Sequence, residues 1–204
     1  MRRYLIVAVV AGVTAGCGHT AEYRTTYVMS HIRHFQPTIQ GEALVVTEPT
    51  QDEKIYSAHP SSLTGFAMSF DAKAGYFLRE IMVKVLSYQF IGGAQHASVL
   101  PQDAHAYRVI VKPILNTFDY RYNQLKNLGL AITPEAKVVV HVSVLDSQGQ
   151  LLLDRQYESG FVSGGSYVVD FQPAEKINHA LHRALTEIAN QVAQDIEAAL
   201  RPKS

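Results

Sequence analysis

A single cysteine, Cys17, sits directly behind a short apolar run, and this placement limits the chain more than any other feature of its 204 residues. One cysteine closes no intrachain disulfide and supplies no thiolate cluster for a structural metal, so the fold must rest on a hydrophobic core alone. Ahead of it, Arg2-Arg3 make a basic start, Leu5 to Val13 an uncharged apolar stretch, and Thr14-Ala15-Gly16 a run of small residues. Those are the three zones of a secretory signal over residues 1–16, with cleavage expected between Gly16 and Cys17. The apolar stretch has about half the residues a helix needs to cross a hydrocarbon core, which argues against a permanent transmembrane anchor.

Thr14-Ala15-Gly16-Cys17 resembles the lipobox of bacterial lipoproteins, with Thr14 where leucine is more usual. The resemblance implies that Cys17 is lipidated through its sulfur, palmitate being among the acyl groups, and becomes the first mature residue. Its thiol is then spent as a nucleophile. Each buried CH₂ stabilises membrane attachment by about 0.8 kcal/mol and one chain holds only reversibly, so the three chains usual for lipoproteins imply permanent attachment. Lipoproteins retained at the inner membrane often carry aspartate after the cysteine. Gly18 stands there, which implies the periplasmic face of the outer membrane. Arg2-Arg3 lacks the polar residues and lysine of a twin-arginine signal, so ordinary export is expected.

Removing sixteen of the 204 residues leaves 188, enough for one domain with a substantial core. Arg2 and Arg3 leave with the signal, so the 18 basic side chains fall to 16 against 18 acidic ones, a balance near −2. This is no footprint for nucleic acid or for strong attraction to anionic lipid. The expected division is a tether over residues 17–37 and a single domain over residues 38–201.

Along the tether, His31 and His34 stand three apart, as do His179 and His182 near the far end of the chain. Neither pair has an obvious third ligand, so no metal centre is expected, and His31 and His34 read as solvated histidines of a linker. Glu42 to Thr47 is a β-rich run and reads as the first core strand. Pro49 to Gly65 has no sustained period and reads as a long loop, with Tyr56, Leu63 and Phe66 available to fold it back or to meet a partner. Asp71 is placed to cap a helix from Ala72 to Gln89. Ala74, Phe77, Leu78, Ile81, Met82, Val85 and Leu86 give that helix one buried stripe.

Tyr107 to Tyr122 reads as a long strand, apolar on both sides in its first half, with Pro113 marking an edge or a bulge. In its second half Phe118, Tyr120 and Tyr122 share one face. They make either a binding wall or a core capped by tyrosine hydroxyls. Val138, Val140, Val142 and Val144, the turn Asp146-Ser147-Gln148-Gly149, and Leu151, Leu153 and Tyr157 form the clearest hairpin. Gly160 to Ser166 lacks the lysine and spacing of a phosphate loop and the elbow of a serine hydrolase, and reads as a bend or a mobile flap. From Pro173, Ile177, Leu181, Ala184, Leu185, Ile188, Val192 and Ile196 trace the stripe of a closing helix, with His179 and His182 off it.

The order β-α-β-β-β-α predicts a two-layer α+β domain, an antiparallel sheet of about four strands with two amphipathic helices on one face. This architecture, with the lipobox, the hairpin and the closing helix, resembles small Gram-negative envelope lipoproteins. These are the YajG family, the auxiliary lipoproteins of ABC-type and lipid-transport systems, and the lipoprotein activators of peptidoglycan synthases. The resemblance implies a non-enzymatic accessory or assembly subunit of an envelope protein complex, serving transport or surface-structure assembly, with no cofactor and no metal. The second reading is a periplasmic lipid- or small-ligand-binding component of a transport system, built on Phe118, Tyr120 and Tyr122 beneath the loop that carries Tyr56. A hydrolase comes third, and needs a histidine within hydrogen-bond reach of both a serine and a carboxylate.

Overall fold

The two longest period-two stretches, β6 (Val109–Asn123) and β7 (Thr133–Asp146), pair antiparallel along almost their whole length and make the centre of the domain. A computed structural model describes residues 18–33, 36–62, 68–124, 131–166 and 173–201. Ahead of β6 come β1 (Gly18–Thr20), α1 (Thr25–Met29), β2 (Ala43–Val46), α2 (Pro49–Glu53), β3 (Tyr56–Ala58), β4 (Ser69–Ala72), α3 (Ala74–Gln89) and β5 (Ala94–Ala97). A 3-10 turn (Ala104–Ala106) leads into β6. After β7 come β8 (Leu151–Glu158), β9 (Val162–Ser163) and α4 (Pro173–Leu200). Residues 1–16, expected as a signal, Cys17, His34, Leu63, Phe66 and the stretch around Leu128 lie outside the described residues.

The expected single antiparallel sheet of about four strands is not what forms. The described residues hold nine strands in two sheets, one of order β1-β4-β3 and a six-stranded one of order β5-β2-β6-β7-β8 with β9 also on β7. The large sheet is mixed, because β2 runs parallel to both β5 and β6. Parallel neighbours need a crossover, and α3 supplies it between β2 and β5. Ala94-Gln95-His96-Ala97 lacks the β-branched and aromatic residues that mark a strand, and β1, β3 and β4 are too short to display a period.

On the helix side of the sheet, Val138, Val140, Val142 and Val144 are fully buried with the α3 stripe and the α4 stripe in one cluster. Each such valine contributes roughly 1.5–3 kcal/mol by leaving water. The α3 helix starts two residues later than expected, with Lys73 in the cap position and no side-chain cap. Asp71 is unavailable as a cap because its backbone pairs with Thr20 on one side and Ser57 on the other, inside β4.

Apolar residues on both parities of β6 have a specific cause. Leu115 pairs with Val140 and Thr117 with Val139, so Asn116 is an extra residue, and the inward set switches from Val109, Val111 and Leu115 to Tyr120 and Tyr122. A second bulge, at Leu152, turns Leu151 out to solvent instead of beside Leu153.

The stretch expected as a long loop after Pro49 carries α2 and β3 and covers a sheet edge. Past Val111 the β2 side of β6 has no ladder partner among the described strands, and Pro113 sits there. Gln51 Nε2 donates to Pro113 O at 3.0 Å, Tyr56 Oη to Leu115 O at 2.8 Å, and Ser61 N to Tyr120 O at 2.9 Å; Ser62 Oγ accepts from Tyr122 N at 3.0 Å. Side chains and loop backbone thus satisfy an edge that would otherwise template pairing with another chain. The expected flap is likewise a strand, with β9 on Glu135 and Ala136 and Gly164 N donating to Pro134 O at 3.1 Å.

Candidate functional site: the N-terminal segment on the last helix

Residues 18–33, expected within a tether, are folded onto the domain. Ala21, Val28 and Ile32 are buried in the core cluster, β1 pairs with β4, and α1 packs on α4. The α4 face that receives them carries Asn178, His182, Thr186 and Asn190, four buried polar residues at steps of four. Such steps line up along one side of a helix. Three of them bind backbone of the N-terminal segment. Asn178 Nδ2 donates to Glu22 O at 2.9 Å, Arg24 N donates to His182 Nε2 at 3.0 Å, and Asn190 takes Arg33 N at 3.2 Å while giving to His31 O at 3.0 Å. Thr186 instead donates to His182 O. Tyr27 Oη adds a 2.7 Å bond to Glu175.

His182 is therefore no bystander on the polar side of the helix. Its Nδ1 lies 2.8 Å from Asn178 O, so Nδ1 carries the proton and Nε2 is left to accept. Its ring centroid lies 5.0 Å from that of Phe77 and 5.5 Å from that of Tyr23. Burial among these rings pushes its pKa down to about 4; the Asn178 carbonyl works the other way, and charge on His179 and Arg24 adds to the depression. The imidazole is neutral around pH 7 and acts as a backbone acceptor. Its signal was present in the sequence as the four-residue repeat Asn178, His182, Thr186, Asn190, offset from the aliphatic stripe.

Asn190→Ala leaves Arg33 N and His31 O without their partner, at a cost of about 2 kcal/mol. Urea denaturation should show that loss, with faster hydrogen exchange at the Arg33 amide; an unchanged midpoint would contradict the clamp.

The other expected sites fall elsewhere. His31 lies beside His179, ring centroids 5.4 Å apart, and His179 contacts Gly164 O at 3.1 Å through Nδ1. Among the described residues no group of three or more His, Cys, Asp or Glu is arranged to hold a metal ion.

Phe118, Tyr120 and Tyr122 do not form an open wall. Tyr120 is fully buried against Phe70 with Oη on Met68 O at 3.2 Å, its hydroxyl pKa pushed up to about 12 by burial and then by Asp119. Tyr122 is buried against Tyr120 with Oη near Met68 Sδ, and Phe118 stacks on Tyr120 at 6.3 Å. Tyr56 is half-buried, spends its hydroxyl on Leu115 O, and takes Lys54 over its ring at 4.5 Å.

His141 comes within 3.1 Å of Asp154, and Ser143 donates to the same carboxylate oxygen at 2.7 Å. The serine bonds the carboxylate rather than the imidazole, which is not the hydroxyl–imidazole–carboxylate order that activates a nucleophile.

No family model matches the chain, and no curated protein matches it. Among solved structures it is similar to a minor lipoprotein of Acinetobacter baumannii, at 12% identity over 80% of this chain and 97% of that one, TM-score 0.37. It is similar to uncharacterized lipoprotein B of Nitrosomonas europaea, at 14% identity over 82% and 92%, TM-score 0.40. A hypothetical protein of Chlamydia trachomatis matches at 13% identity over 78% and 99%, TM-score 0.44. Likeness at this level singles out none of the families named above and transfers no site.

Proposed function

We propose that this chain is a lipid-anchored, non-enzymatic accessory lipoprotein that holds a compact binding domain against the periplasmic face of the outer membrane and serves an envelope protein complex. Transport and surface-structure assembly are the two roles the resemblance suggests. The observation that carries the reading is the clamp on α4. The residue after Cys17 already belongs to β1, and the chain stays bound to the domain from there to Arg33. A lipid on Cys17 would therefore present the domain close to the bilayer and in a restricted orientation, which suits a subunit that must meet a membrane-embedded machine. No described helix is long and apolar enough to cross a membrane. The ligand-shuttle reading has less to build on, because two of its three rings, Tyr120 and Tyr122, are buried in the core.

Labelled palmitate fed to cells should enter the native protein and not Cys17→Ala, and the variant should be lost from the outer-membrane fraction. An unmodified thiol on the mature native chain would end the anchor reading. Recovery of no envelope complex from crosslinked, solubilised membranes would end the accessory role.

A further inference from the structure

Several chain segments converge at the end of the domain where the N-terminus is held. Gly18, the residue after Cys17, pairs with Ser69. Met68, next to Ser69, accepts from Tyr120 Oη and lies beside Tyr122, whose N–H is taken by Ser62 Oγ. Asn123 and Thr133 pair with each other at the same end, and Thr133 Oγ1 lies 2.7 Å from Ser166 Oγ. Pro173, the first residue of α4, shares a cleft with His19 and Thr20. The 28 residues of α4 then run about 42 Å, at about 1.5 Å each, to Leu200, which shares a second cleft with Arg108. Arg108 adjoins Val109, the partner of Asp146, so the turn between β7 and β8 marks the far end.

The surface around Gly18 suits the zone between water and hydrocarbon. Met68, Ile132, Phe161 and Pro173 are half-exposed there. Charges at this end are matched: Arg121 bonds Glu135 at 2.8 Å with its Cζ 3.9 Å from the centre of the Phe161 ring, and Arg24 pairs with both Glu22 and Glu175. Such side chains lay an apolar body on lipid and keep a polar tip in water. The stretches of sequence that join these positions, 63–67, 125–130 and 167–172, lie outside the described residues and hold Lys126 and Asp170 as their only charged residues.

We infer that this end of the domain rests in the headgroup region of the bilayer, with Met68, Ile132 and Phe161 at the lipid surface and the turn from Asp146 to Gln150 facing away. The inference deepens the anchor reading and rests on it, because a lipid on Cys17 names the occupant. With Gly18 paired into the small sheet, one residue separates this end from the acyl chains, whereas the far turn stands about 40 Å off along α4. Matched charges make the contact apolar in origin and independent of anionic lipid.

Bimane fluorescence of the full lipidated chain in zwitterionic vesicles tests it, read as quenching by a phospholipid that carries a nitroxide near its headgroup. Cys17 is the only cysteine and the lipid occupies its sulfur, so Gln124→Cys and Gln148→Cys, both at exposed positions, each give one labelling site, near and far. Flotation with the vesicles reports the anchor separately. Quenching should be at least threefold stronger at position 124 than at 148. It should persist when twenty Gly and Ser residues are inserted between Cys17 and Gly18, although such a linker spans roughly 25 Å and no longer imposes proximity. In that extended form Ile132→Asp and Phe161→Asp should each lower it at least twofold; unchanged circular dichroism separates lost contact from lost folding, and if one variant fails to fold the other decides. A protein that floats but shows equal quenching at the two sites or none at either overturns the inference and leaves the anchor standing. So does quenching that the linker removes, that survives both substitutions or that requires anionic lipid. Failure to float ends both readings.

Discussion

Gly164→Ala is expected to lower stability by about 3 kcal/mol, the upper end of what overpacking costs. A methyl group at this position would stand 1.9 Å from Lys176 O and 2.9 Å from Ala180 N. Both are backbone atoms of α4, so no side-chain rotation relieves the contact. The helix cannot easily shift, because Asn178, His182 and Asn190 also hold it to the N-terminal segment along an adjoining face. Withdrawal of α4 would break the contact between His179 and Gly164 O, and displacement of Gly164 itself would stretch its N–H from Pro134 O. Gly165→Ala is the informative control: it meets open space, but at φ +100° it loses about 1 kcal/mol through backbone strain alone. Urea denaturation should rank Gly164→Ala well below Gly165→Ala, and the reverse order would refute the close approach of β9 to α4.

Acid should loosen the N-terminal segment, and His182 is the group responsible. Its pKa stands at about 4 in the folded chain against 6.5 for an ordinary histidine. A base with a depressed folded pKa contributes fully above about pH 6.5 and loses its contribution progressively as pH falls toward 4. Over that window the loss is about 3 kcal/mol, taking roughly 1.4 kcal/mol for each pKa unit. Protonation puts a hydrogen on Nε2, where Arg24 N–H already donates, so the contact with the segment turns from attraction to repulsion. The groups that face it are the Arg24 guanidinium and His179, which oppose its charging, with Glu175 and Glu22 bound to Arg24 beyond. His182→Leu should abolish this part of the pH dependence while costing stability at pH 7 through the orphaned Arg24 amide. The protection factor of the Arg24 amide, its exchange rate relative to the intrinsic rate at each pH, should fall between pH 6.5 and 4 in the native protein; equal pH dependence in both proteins would exclude His182 as the acid-sensitive group.

How much could be read beforehand differs element by element. The alternation of Val138 to Val144, the turn at Asp146, whose carboxylate accepts from Gln148 N and Gln150 N at 2.8 Å each, and the stripes of α3 and α4 were legible because each is set by residues close in sequence. Asp71 could not be assigned correctly from its neighbours. It is a good cap in isolation, and pairing with Thr20 and Ser57, both distant in sequence, made it a strand residue instead. The role of His182 was not legible for a related reason. A polar side chain off the aliphatic stripe normally faces water, and only the arrival of residues 22–33 turned that side of α4 into an interior.

By itself, then, the order of residues determined the signal-like start with its lone cysteine, the hairpin, and the two amphipathic helices, all products of local period and turn chemistry. Tertiary structure alone decided that β2 would lie parallel to β5 and β6, that one extra residue at Asn116 would switch the inward face of β6, and that the expected tether would be clamped on α4. Periodicity says which side of an element must be buried, but it does not name the partner that buries it. That choice is made by backbone hydrogen bonds and close contacts between residues far apart in the chain.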